Sequence, residues 1–220
     1  MNGSPTQLIW RKKNIAPAAA LPTPVATHFY IRHGPKMYDN QPGINGLDPD
    51  LTEGGIILAR DRFVDLIQAY CTKGDELALP DIIISSPYLR AHHTAVIAQE
   101  VLTELTGCTI PIVYDSRFGE YVSKKHNQYA DDSISVKTRE RADGQQIYTN
   151  ENWNQMQARV RRLCRENQPS FYSGNTAGQT RFIISHGVII QSLSKIKGGA
   201  GIYPDYLHGV MIRGDSIVEI

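Results

Sequence analysis

The order of the apolar segments constrains this chain more than any other feature. From Val25 onward, stretches with strand character take turns with stretches of helical period. VATHFYI reads as a first strand. Ile56, Phe63, Leu66, Ile67 and Tyr70 then recur at helical spacing, and PDIIIS reads as a buried strand that starts at Pro80 and ends at Ser85. A second helix carries Leu89, Val96, Ile97, Val101 and Leu105 and stops at Gly107, a residue type suited to a helix end. TIPIVY is a third strand. Trp153, Met156, Val160 and Leu163 mark a third helix, RFIIS a fourth strand, and VIIQSLSKI a fourth helix. Two short strand-like pieces, residues 209–212 and 216–220, close the chain around a turn at 213–215. Such alternation predicts an α/β fold: a three-layer sandwich with a mostly parallel central sheet, helices on both faces and an antiparallel closing hairpin.

Composition narrows the partners. A chain of 220 residues with 41% hydrophobic content suits one domain with a substantial core. Lys and Arg number 23 against 22 Asp and Glu, so the net charge of +1 gives no general attraction to nucleic acid or to an anionic membrane. No apolar run approaches the ~20 residues of a membrane span. Cys71, Cys108 and Cys164 are too few and too scattered for a disulfide framework and read as reduced thiols. The expectation is a soluble, cytoplasmic protein. Residues 1–24 place a basic cluster before small apolar residues, but Pro17, Pro22 and Pro24 disfavour the helix of a signal core. They read as a proline-rich arm leading into a domain over 25–220.

In sheets of this kind, ligands bind beyond the carboxyl ends of the strands. Three of those ends carry reactive chemistry. The first strand closes in Arg32, His33 and Gly34; the second runs into SSPYLRAHHTA, with Arg90 in the first turn of the next helix; the fourth closes in Ser185, His186 and Gly187. Arginine forks match tetrahedral oxyanions, and helix N-termini add backbone N–H groups, so the implied ligand is phosphate. A neutral imidazole is also a competent nucleophile toward phosphorus.

Four motifs, in order, carry a family resemblance: RHG at 32–34, DPDLTEGG at 48–55, SSPYLRAHHTA at 85–95 and SHG at 185–187. With them the chain resembles the histidine phosphatase superfamily, in its phosphoglycerate-mutase-like branch. The resemblance implies that His33 is the nucleophile and that Arg32, Arg90 and His186 bind the transferred phosphoryl group. It also implies a proton-donating carboxylate shortly after the third strand. DSRFGEY offers Glu120 for that role, with Asp115, Asp131 and Glu140 as alternatives nearby. Neither a cofactor nor a metal is expected, since the arginines supply the charge that a metal supplies in other phosphatases. The expected substrate is a phosphorylated small molecule or a phosphopeptide.

Departures from the family pattern refine this. Mutases commonly have Glu after RHG where this chain has Pro35, and the acid phosphatase branch has Arg, Pro and Asp where this chain has Lys36, Met37 and Gly187. The reading is therefore a phosphomonoester hydrolase working through a phosphohistidine, with a phosphomutase or a catalytically silent binding module as alternatives. His28, His92, His93, His126 and His208 match no catalytic position. The polar stretch 121–152 reads as an insertion that covers the pocket or recognises substrate, with Lys124, Lys125, Lys137, Arg139 and Arg141 facing an anion.

Overall fold

Strand β1 (Thr27–Arg32) alternates cleanly: Phe29 and Ile31 enter one core, and Tyr30 enters another. That alternation sets the layers of the computed structural model, which describes residues 25–37, 49–73, 76–77, 79–120, 153–166 and 179–220. The arm over 1–24 and the insertion over 121–152 lie outside the described residues. After β1 come α1 (Glu53–Tyr70), β2 (Thr72–Lys73), β3 (Glu76–Leu77), β4 (Ile82–Ser85) and α2 (Leu89–Thr106). Then follow β5 (Ile112–Tyr114), a 3-10 turn (Ser116–Phe118), α3 (Trp153–Glu166), β6 (Thr180–Ser185), α4 (Gly187–Ile196), β7 (Gly209–Arg213) and β8 (Ser216–Glu219).

Six strands form one sheet in the order β5-β4-β6-β1-β7-β8. β5, β4, β6 and β1 are parallel, while β7 and β8 add an antiparallel edge, as the closing hairpin predicts. Phe182 and Ile184 of β6 join Phe29 and Ile31 against Phe63 and Leu66 of α1 and Ala95 and Ala98 of α2. On the opposite face, Ile183 and Tyr30 meet Met156, Val160 and Leu163 of α3 and Ile189, Ile190 and Leu193 of α4. Each fully buried side chain of this size contributes about 1.5–3 kcal/mol relative to exposure. The expected sandwich is therefore present, with its central strands apolar on both faces.

Two helical stripes differ from the sequence expectation. Ile56, Tyr70 and Leu105 are exposed by 46%, 41% and 47%. The buried positions of α1 are Gly55, Ala59, Phe63, Leu66 and Ile67, and those of α2 include Ala91, Thr94, Ala95, Ala98, Val101 and Leu102. Both helices turn small residues inward, which lets their backbones approach closely, so the largest apolar residue is not always the one that faces the core. The close approach reaches the loop after β1: a Cβ on Gly55 would lie 2.5 Å from the Pro35 carbonyl oxygen. The ribbon of β2 and β3 was not foreseen, since two-residue strands carry no periodic signal. Gly107 does end α2, in the left-handed conformation at φ 73°.

Candidate active site

β6 pairs in parallel with both β1 and β4, so their carboxyl ends share one edge, with Arg32 beside Ser185 and Ser85 beside Ile184. The backbone continues that register past the strands. His33 N donates to Ser185 O at 3.0 Å, and Ser86 N donates to Ile184 O at 2.9 Å. Three motifs distant in sequence thus become neighbours through ordinary sheet pairing.

His33 is 2% exposed. Its Nδ1 lies 2.7 Å from the carbonyl oxygen of Gly34, which only an Nδ1–H can satisfy. The proton fixed there leaves Nε2 with its lone pair, and Arg90 Nε donates to Nε2 at 3.2 Å. Burial, followed by the Arg90 charge, holds the His33 pKa well below the usual histidine value. The ring is neutral and oriented. Gly34 N donates to Thr94 Oγ1 at 3.0 Å, which pins this corner to α2. Pro35 O accepts from Thr52 N at 3.0 Å, and Thr52 caps α1 by accepting from Gly55 N. The DPDLTEGG motif therefore holds the loop after His33 in place from the side of α1.

Arg90 is the hub. At 1% exposure its charge is fully buried, which is costly without partners. It forms an ion pair with Glu120, touches His33, and donates from Nη2 toward His186 Nδ1 at 3.5 Å. His186 is completely buried, with its ring centroid 5.1 Å from that of His33 and its Nε2 2.8 Å from Ser86 Oγ. Burial first, then Arg90 and His33, lowers its pKa well below the usual value. Glu120 Oε2 lies 3.7 Å from His186 Nδ1. Its side chain keeps 29% exposure, so the carboxylate sits at the mouth of the cluster.

Among the other carboxylates, Asp115 is committed: it accepts from Arg117 N at 2.9 Å and from the Arg117 guanidinium, capping the 3-10 turn. Asp131 and Glu140 lie outside the described residues, as do His126 and the basic residues of 121–152. Arg32 sits at the same edge, but its guanidinium donates to Pro204 O at 2.9 Å and lies 3.9 Å over the Tyr206 ring and 4.8 Å from that of Tyr203. Its Nε is buried with no hydrogen-bond partner among the described residues. Tyr206 also stands 5.6 Å from the His33 ring. Sequence reasoning missed both tyrosines, which lie in a segment without periodicity. His92 bonds to Tyr114 and His93 to Asp50; Lys36 pairs with Leu51 through the backbone.

A family model for the histidine phosphatase superfamily, branch 1, matches residues 29–201. The chain belongs to that superfamily. No curated protein matches it. Among solved structures of the superfamily's fold, the phosphoglycerate mutase of Bacillus anthracis str. Sterne aligns over 90% of this chain and 92% of its own, at 14% identity and TM-score 0.58. A mycobacterial glucosyl-3-phosphoglycerate phosphatase complexed with VO3 aligns over 88% and 96%, at 21% identity and TM-score 0.52. Another, called mycobacterial hydrolase 1, aligns over 89% and 96%, at 20% identity and TM-score 0.53. At these identities the likeness is one of fold. Among the described residues, no group of three His, Cys, Asp or Glu side chains is arranged to hold a metal ion. No described helix is long and apolar enough to cross a membrane.

Proposed function

We propose that the protein is a metal-independent phosphomonoester hydrolase that works through a phosphohistidine on His33. The observation that carries this reading is the orientation of that ring, with Nδ1–H held by Gly34 and a bare Nε2 facing the Arg90 guanidinium. In this reading Arg90, His186 and Arg32 draw the phosphoryl group beside His33, and Nε2 attacks phosphorus opposite the leaving oxygen. The Nε2–P bond forms as the ester P–O bond breaks, and the departing oxygen takes a proton from Glu120. Water then attacks phosphorus, Glu120 recovers the proton, and the Nε2–P bond breaks to release phosphate. Glu120 pairs with Arg90 in the structure. The incoming phosphoryl oxygen replaces the carboxylate on Arg90; the freed Glu120 carboxylate takes the remaining proton of the phosphomonoester monoanion and delivers it to the leaving oxygen.

The cations at the site supply the charge neutralisation that a metal would otherwise bring. Pro35, which lacks a backbone N–H after the nucleophile motif, favours hydrolysis over phosphoryl return to a second substrate. The substrate class is a phosphorylated small molecule or a phosphopeptide. Cys71, Cys108 and Cys164 are all free thiols, which fits a reducing compartment such as the cytoplasm. The test is phosphate release from phosphorylated metabolites and phosphopeptides with excess chelator, together with acid-labile phosphate trapped on His33. Activity lost to chelator and restored by one divalent ion would reject the mechanism, as would turnover without label on His33.

A further inference from the structure

The backbone leading into Glu120 is held through its carbonyl oxygens. Arg159 of α3 donates from Nη1 to the carbonyls of Arg117 and Gly119, the latter at 3.2 Å. Between them, Phe118 O accepts from Ser185 Oγ at 2.8 Å. Three consecutive carbonyls, the last belonging to the residue just before Glu120, are therefore bound by two side chains from two different elements. The turn is also held by Phe118 N to Asp115 O, by Gly119 N to Ser116 O, by the Asp115 carboxylate on Arg117 and by the burial of Phe118. Of these contacts, the bond from Arg159 to the Gly119 carbonyl lies nearest to Glu120 along the chain.

Both anchors are rigid. Ser185 is fully buried and immediately precedes His186, so it ties the turn to the strand end that carries the second histidine. Arg159 lies between Met156 and Val160, which are fully buried against the same core as Phe118. Its charge is also close enough to His186 to help lower the pKa of that ring. Both bonds come from the single nitrogen Nη1, whose two N–H groups supply one to each carbonyl.

We infer that Arg159 is a positioning residue for the general acid, holding Glu120 at the mouth of the site through the carbonyls of Arg117 and Gly119. The inference rests on the hydrolase reading and adds a residue to it. Arg159 is given no role in binding the phosphoryl group, only in holding the carbonyls that lead into Glu120. Its removal should therefore impair leaving-group protonation while sparing phosphoryl binding.

The test measures single-turnover phosphorylation of His33 by a simple alkyl phosphate and by p-nitrophenyl phosphate, whose leaving group needs little protonation. Arg159→Met should slow the alkyl reaction by about 10- to 100-fold and the aryl reaction by less than about 3-fold, within the range that general acid catalysis supplies. In a Glu120→Gln background the same substitution should add less than about 3-fold, because the two residues act as one unit. Vanadate affinity should stay within about 3-fold of the unsubstituted protein. Ser185→Ala removes the other side-chain bond to a carbonyl of this run and should show the same leaving-group signature, which keeps the idea testable if Arg159→Met fails to fold. Equal losses on both substrates, or additive losses with Glu120→Gln, overturn the inference and leave the hydrolase reading standing. An unsubstituted protein that forms no phosphoenzyme overturns both.

Discussion

Each end of β1 buries a histidine, and the two are handled differently. His28, near the start of the strand, is 6% exposed, and its Nε2 has no hydrogen-bond partner among the described residues. Burial, with the charges of Arg181 and Lys197, lowers its pKa to about 4. His33, just past the other end, is equally enclosed, and its pKa is also lowered, first by burial and then by Arg90. Neutrality therefore does not distinguish them. What does is the fixed tautomer: Gly34 holds one nitrogen of His33 so that the other faces a cation, whereas the buried Nε2 of His28 has no hydrogen-bond partner among the described residues. A perturbed titration alone is weak evidence of function; perturbation together with convergent, oriented partners is strong evidence.

The largest test of that contrast is to remove each ring. His33→Ala should abolish phosphate release with the fold intact, while His28→Ala should retain most of it. Comparable turnover by the two variants would erase the distinction. Next in size is Glu120→Gln, which should slow phosphoenzyme formation from alkyl phosphates by ~10²- to 10⁴-fold, the usual contribution of a general acid, and from an activated aryl phosphate far less. Burst kinetics separate this from dephosphorylation, and a loss independent of the leaving group would remove Glu120 from the role. Arg90→Lys keeps the charge but loses the fork that reaches both histidines and Glu120, and should cost about 10²- to 10³-fold in turnover, comparable to losing one transition-state donor. A lysine variant with unchanged turnover would deny Arg90 its place as hub.

The smallest effect belongs to His28 and appears in stability. Its pKa falls from 6.5 in the unfolded reference to about 4 in the fold. Between those values the unfolded chain binds a proton that the folded chain refuses, so the stability tied to neutral His28 is present above pH 6.5 and is lost as the pH falls toward 4. His33 and His186 add to the trend in the same direction. Denaturant titrations at several pH values should show a shallower acid loss for His28→Leu, by at most about 3 kcal/mol at ~1.4 kcal/mol per unit of pKa shift. Parallel curves for the variant and the unsubstituted protein would show that the proton is taken up elsewhere.

Legibility in the sequence follows the range of each signal. His33, Arg90 and His186 were visible because each follows a strand within a few residues, and strand ends in a parallel sheet meet whatever the separation along the chain. Glu120 was reached only through a family resemblance, and the structure sets it apart from Asp115 by showing what Asp115 already holds. Arg159 and Tyr206 left no mark. Their contacts are with carbonyl oxygens and with a guanidinium brought in by tertiary packing, and neither leaves a spacing to read. The misjudged faces of α1 and α2 have a related cause. Apolar size reports which residues can be buried, whereas Ala59, Ala95 and Ala98 are buried because the helices come close.

One feature of the sheet bears on how the molecule is made. β6 lies between β4 and β1, yet it leaves the ribosome after both. Until it arrives, two strands with apolar faces present unpaired edges to solvent, a state open to edge-to-edge association and to chaperone capture. Fragments that end before Thr180 should therefore aggregate, and a soluble, cooperatively unfolding fragment would contradict this. The same strand delivers His186, so its insertion joins the two halves of the parallel sheet and brings the second histidine beside His33 in one step.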